Sequence, residues 1–132
     1  MEKDKSKKAV EIYNKIANDY IKEFKNNSEY IDEFLSLLPQ NGKILEAGCG
    51  PGIDADYITS KGFRVIGIDL SKEMIRIAKN KFPNINFKIA DMRKLSFKPN
   101  SFHGIFVAYS LIHIPKKDVL NTLKKFYNLL KE

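Results

Sequence analysis

The chain has 132 residues, 43% of them hydrophobic, enough for one globular domain with a core of its own. Its formal net charge is +7, but only Arg64, Arg76 and Arg93 among its cations are arginines. Lysines spread over helical faces, without arginine forks and aromatic platforms, read as a solvated surface, so a nucleic-acid substrate is disfavoured.

No apolar run approaches the ~20 residues of a membrane-spanning helix. The first residues, Met1-Glu2-Lys3-Asp4-Lys5-Ser6-Lys7-Lys8, lack the apolar centre of a secretion signal. The one cysteine, Cys49, has no partner for an internal disulfide, which suits a reducing compartment. The expectation is a cytoplasmic protein with no membrane partner.

In chain order, Val10, Tyr13, Ile16, Tyr20 and Phe24 recur at helical spacing and predict an amphipathic helix over about 6–25. Asn26-Asn27-Ser28 breaks it, and Ser28 suits the cap of a second helix carrying Ile31, Phe34, Leu35 and Leu38, ended by Pro39. A first strand over 43–47 leads into a glycine-rich turn. A helix to about Ser60 follows, with Gly62 as its stop. A second strand over 64–69 precedes a helix capped by Ser71 and closed before Pro83. A third strand over 86–90 gives way to a loop over 92–101. The fourth, over 104–109, is apolar throughout, as a central strand would be. Pro115 opens a final helix whose buried side is expected to carry Val119, Leu120, Leu123, Phe126, Tyr127 and Leu130. Strands alternating with helices imply a parallel α/β sheet, with any ligand across the C-terminal ends of its strands.

The turn after the first strand is the most informative stretch. Ile44-Leu45-Glu46-Ala47 runs into Gly48-Cys49-Gly50-Pro51-Gly52, three glycines in alternate positions. Lacking a Cβ, glycine lets a ligand lie against the backbone, and the helix behind the turn offers free N–H groups. A dinucleotide fingerprint is G-x-G-x-x-G, but here the third glycine comes one residue early. Glu46 also puts negative charge in the floor of the turn, where it would repel a pyrophosphate. Both features disfavour a nicotinamide-dependent oxidoreductase. Asp69 ends the second strand, where a carboxylate can accept both hydrogens of a ribose diol. The ligand expected is a ribose joined to a cationic or zwitterionic group. Cys49 reads as a small packing residue, although a helix N-terminus would lower its thiol pKa and leave a nucleophilic role open.

Glu46-x-Gly48-x-Gly50-x-Gly52 with Val65-Ile66-Gly67-Ile68-Asp69-Leu70-Ser71 resembles the class I S-adenosylmethionine-dependent methyltransferases of the small-molecule type. Ile89-Ala90-Asp91-Met92 is similar to the end of that family's third strand, and 102–113 to its fourth strand and the substrate-facing loop beyond. The resemblance implies a Rossmann-like parallel sheet with flanking helices, here partial at about four strands, with two N-terminal helices. It implies S-adenosylmethionine as cofactor, S-adenosylhomocysteine as product and an unidentified small-molecule acceptor. It puts Glu46, Ala47, Gly48, Gly50 and Gly52 on the cofactor, Glu46 and Gly48 at its amino-acid portion. Asp69 would hold the ribose hydroxyls, Leu70 would lie against adenine, and Asp91 would meet the adenine amino group with Met92 beside it. Tyr20, on a helical lid over about 6–38, would close on the methionine end, unless it only packs. Tyr109 would line the site, and His113 is the candidate general base, with a bland loop histidine as the alternative reading. No metal site is suggested.

The family's sheet has seven strands and this chain supplies four, so a truncated form or fragment is expected. The fourth strand would then present an open apolar edge that invites pairing, including formation of a homodimer. A module that holds the cofactor without turning it over is the alternative function, and a nucleic-acid methyltransferase a further one.

Overall fold

The structure, a computed structural model, describes residues 28–107 and 115–131. Helix α1 (Ser28–Ser36) precedes strand β1 (Lys43–Ala47), helix α2 (Ile53–Ser60), strand β2 (Arg64–Asp69) and helix α3 (Lys72–Lys81). Strands β3 (Asn86–Ile89) and β4 (Gly104–Phe106) and helix α4 (Lys116–Leu129) complete the order. All strand pairs are parallel, in the order β3-β2-β1-β4, giving the Rossmann-like α/β sheet expected.

Residues alternating along β1 divide the core. Ile44 faces one side, packed with Ile31 and Leu35 of α1, Ala55 and Ile58 of α2, and Ile75 and Ala78 of α3. Leu45 and Ala47 face the other side, with Ile68, Phe102, and Phe126 and Leu129 of α4. Period-two alternation therefore builds a sheet covered on both faces. Ile31, Ile44, Leu45 and Ile58 are completely buried, each contributing roughly 1.5–3 kcal/mol of apolar transfer. Helix α1, in the stretch expected as a lid, is thus part of this core. The first helix of that stretch lies outside the described residues.

Several local signals act as their chemistry dictates. Ser71 Oγ accepts the Met74 N–H at the start of α3, and Gly62 takes φ 93° after α2. His103 Nδ1 accepts the Lys43 N–H at 2.9 Å and its own N–H donates to the Lys43 carbonyl at 2.8 Å. That histidine staples the N-terminal ends of β1 and β4, far from the glycine turn.

Two expectations need correction. Strand β4 stands at the end of the sheet, as expected for a four-strand form and not at the centre as its apolar run suggests, and Ile105, Phe106 and Val107 are only half-buried. Helix α4 buries Thr122, Phe126 and Leu129, while Leu120, Leu123 and Tyr127 are 62%, 45% and 78% exposed. Helix α4 rests on the sheet through a narrow stripe, with Val119 and Leu130 half-buried beside it and Leu120, Leu123 and Tyr127 facing outward. Beyond α4, Leu130 bridges in parallel to Phe102, just ahead of β4. No helix among the described residues is long and apolar enough to cross a membrane.

Candidate cofactor site

Strand order reverses between β1 and β4, and open α/β sheets bind ligands beyond the carboxyl ends of their strands at such a reversal. Glu46, Asp69 and Asp91 sit at or next to the ends of three adjacent strands. Glu46 pairs in register with Gly67, and the Asp69 carbonyl accepts the Ala90 N–H at 3.1 Å, one residue ahead of Asp91.

The glycine turn is tied down from β2. The N–H groups of Gly48 and Cys49 both donate to the Ile68 carbonyl, at 2.8 and 2.9 Å. Asp69 Oδ2 accepts the Gly50 N–H and its Oδ1 the Ser71 N–H, each at 2.9 Å. Asp69 therefore shapes the turn.

Two of the glycines differ in what they make room for. At Gly52, φ is 89° and a Cβ would stand 2.8 Å from the Phe87 ring and 3.1 Å from that of Phe82. Its close approach is to the core. At Gly50, φ is 54° and a Cβ would meet nothing within 4 Å, so this is where the turn opens outward.

Glu46 is the anomaly of the site. It is 3% exposed, and its Oε2 has no hydrogen-bond partner among the described residues. Burial, reinforced by the charges of Asp54 and Asp69, pushes its carboxyl well above the usual carboxylate range. Asp54, in the first turn of α2, is itself 3% exposed. As a helix-start acid it looks like a partner for the helix dipole, and nothing local reveals that its charge bears on Glu46. Cys49 is buried and its thiol is pushed up, first by burial and then by Glu46 and Asp69, against a smaller backbone hydrogen bond. The helix-activated thiol left open by the sequence is not formed.

Asp91 has a partner that the motif does not announce. Arg93 donates its backbone N–H to Asp91 Oδ1 at 2.9 Å, its Nη2 to Oδ2 at 2.7 Å, and its Nε to both oxygens at 3.0 and 3.1 Å. Partial burial pushes the Asp91 carboxyl up, but Arg93's hydrogen bonds and charge, aided by Lys94, hold it below the usual range. Leu70 is half-buried beside Asp69, and Met92 is half-buried against the α4 side of the core. Met74 is 1% exposed and belongs to the core. Tyr20, Tyr109 and His113 lie outside the described residues. No group of three His, Cys, Asp or Glu side chains among the described residues could hold a metal.

The parallel sheet with a glycine-rich turn after β1 is that of a Rossmann-like α/β domain. The methyltransferase domain family matches residues 44–132. The chain belongs to that family, of the class I S-adenosylmethionine-dependent type. It is 34% identical over 99 residues to the YqeM protein of Bacillus subtilis, covering 71% of this chain and 40% of the relative. It is also 34% identical over 90 residues to a demethylmenaquinone methyltransferase of Chlorobaculum parvum, covering 67% and 36%. Among solved structures, an S-adenosylmethionine-dependent methyltransferase from Mesorhizobium loti superposes with a TM-score of 0.66 at 25% identity, covering 76% of this chain and 47% of the other. The chain spans well under half the length of both curated relatives.

Proposed function

We propose that this chain binds S-adenosylmethionine across the ends of β1, β2 and β3 and directs its methyl group to a small-molecule acceptor. The observation that carries the reading is Glu46, a buried carboxylate beside the glycine turn with one oxygen unpartnered among the described residues. Leaving such an acceptor unpaired is unfavourable by about 1–3 kcal/mol, and a ligand bringing N–H donors or positive charge removes that penalty. A pyrophosphate would worsen it. The amino-acid portion of S-adenosylmethionine supplies an ammonium, and the open face of Gly50 gives room beside the backbone.

The remaining roles follow from the strand ends. Asp69 would accept from the ribose hydroxyls while holding Gly50, Leu70 would flank the base, and Asp91 would accept from the adenine amine. When bound, the cofactor supplies an already activated methyl group on its sulfonium. The chain's own residues then mainly align donor and acceptor, an orientational contribution that can exceed that of a general base. His113 is proposed as that base. The small-molecule class is supported by the demethylmenaquinone methyltransferase among the relatives.

Calorimetric titration with S-adenosylhomocysteine tests the reading. Binding by the wild-type chain, weakened by Asp69→Ala, is the expected result. A folded chain that takes up no S-adenosylhomocysteine would overturn it. Binding without methyl release to any acceptor in a screen would favour the module that holds the cofactor without turnover.

A further inference from the structure

Arg93 is fastened on three sides. Its backbone N–H and guanidinium hold Asp91, its Nη1 reaches Asp118 Oδ2 on α4 at 3.2 Å, and its carbonyl accepts Lys125 Nζ, also on α4, at 2.6 Å. The Arg93 and Asp91 side chains are 18% and 16% exposed, so the pair is shielded from bulk water. A carboxylate offers about four acceptor positions. The Arg93 N–H takes one on Oδ1, Nη2 takes one on Oδ2, and Nε lies 3.0 and 3.1 Å from the two oxygens. Arg93 thus brings three donors, with Nε shared almost evenly between the oxygens, so the Asp91 carboxylate is fixed in one orientation and one of its four positions is left for a further donor.

We propose that Arg93 is the positioning residue of the adenine subsite, clamping Asp91 against α4 so that its carboxylate presents a directed acceptor to the base's exocyclic amine. The inference rests on the S-adenosylmethionine reading above. Its consequence is selectivity for an amine over a carbonyl at that position of the purine, because a fixed acceptor facing a carbonyl is left unpaired. Lysine cannot substitute, since a point charge lacks the planar fork that sets the carboxylate's orientation.

The test is calorimetric titration of the chain with S-adenosylhomocysteine and with S-inosylhomocysteine, in which a carbonyl replaces the amine. The wild-type chain should prefer the adenosyl compound by about tenfold or more. Arg93→Ala should lose most of that preference by weakening the adenosyl compound alone, and Arg93→Lys, which keeps the charge and most of the stem, should lose it as well. If Arg93→Ala fails to fold, Arg93→Lys carries the comparison. Equal weakening of both compounds, full preference retained in Arg93→Lys, or no preference in the wild type would each overturn the proposal. Failure of the wild type to bind either compound would instead overturn the cofactor reading, and this proposal with it.

Discussion

Asp69 Oδ2 holds the backbone N–H of Gly50 at 2.9 Å, so the acid at the end of β2 fixes the turn that follows β1. Its other oxygen holds Ser71, the cap of α3. One carboxylate thus joins two strand ends and a helix start, and a ribose contact would be added to work that it already does.

Asp69→Ala should accordingly lower stability as well as affinity. The buried Ser71 N–H and the partly buried Gly50 N–H lose their acceptor, an expected loss of about 1–3 kcal/mol. Asp69→Asn retains one carbonyl oxygen and should fall between. Urea denaturation beside S-adenosylhomocysteine titration separates the effects. If Asp69→Ala melts like the wild type, the tie to Gly50 is not a stabilising element.

Gly50 and Gly52 should respond differently to alanine. Gly50→Ala meets open space and bears only the left-handed backbone penalty, about 1–2 kcal/mol. Its new methyl would occupy the ligand side of the turn, so S-adenosylhomocysteine affinity should fall at least tenfold in a chain that still folds, for roughly 1.4 kcal/mol of lost contact. Gly52→Ala adds a collision with Phe87 to the backbone penalty, and overpacking of that kind adds about 1–3 kcal/mol. Thermal denaturation of both variants checks the ranking. A Gly50→Ala chain that binds normally would show that the open face is not the ligand face.

What could be read in the sequence was local. The alternate glycines, the acid ending each apolar run and the Ser71 cap are all short-range patterns, and each lies where expected. On α4, Phe126 is buried as its spacing predicts, but Leu120, Leu123 and Tyr127 are equally apolar at helical spacing and exposed, because which stripe is covered depends on how the helix lies on the sheet. Asp54 looked like a helix-dipole acid because its neighbour Glu46 belongs to another element. Arg93 was missed although Asp91-x-Arg93 is only two residues long, since its other anchors, Asp118 and Lys125, are 25 and 32 residues away.

Cys49 should be chemically quiet. It is 2% exposed, and burial with acidic neighbours pushes its thiol up, so little thiolate exists near neutral pH. Alkylation by iodoacetamide at pH 7.5 should run on the order of a hundredfold slower in the native chain than in urea. Comparable rates would mean that the turn opens readily or that the thiol is activated.

Glu46 yields the sharpest pH dependence. Below about pH 4.3, the ordinary glutamate value, both folded and unfolded chains carry it protonated and its burial is not penalised as a charge. As pH rises, the unfolded chain ionises first. The folded chain, whose Glu46 carboxyl is raised by burial and by Asp54 and Asp69, then binds more protons than the unfolded one. Stability therefore falls with pH from about 4.3 until the raised folded value is passed. Glu46→Gln lacks this loss, so it should be more stable than the wild type at pH 7.5, by about 1–3 kcal/mol, with the gap closing near pH 4. Urea midpoints at the two pH values measure it, and an equal gap at both would rule out ionisation as its source. S-adenosylhomocysteine should narrow the gap at pH 7.5, because its ammonium stabilises a charged Glu46 that the glutamine variant cannot supply. The residue that destabilises the empty fold is then the one that makes it favour a cationic ligand.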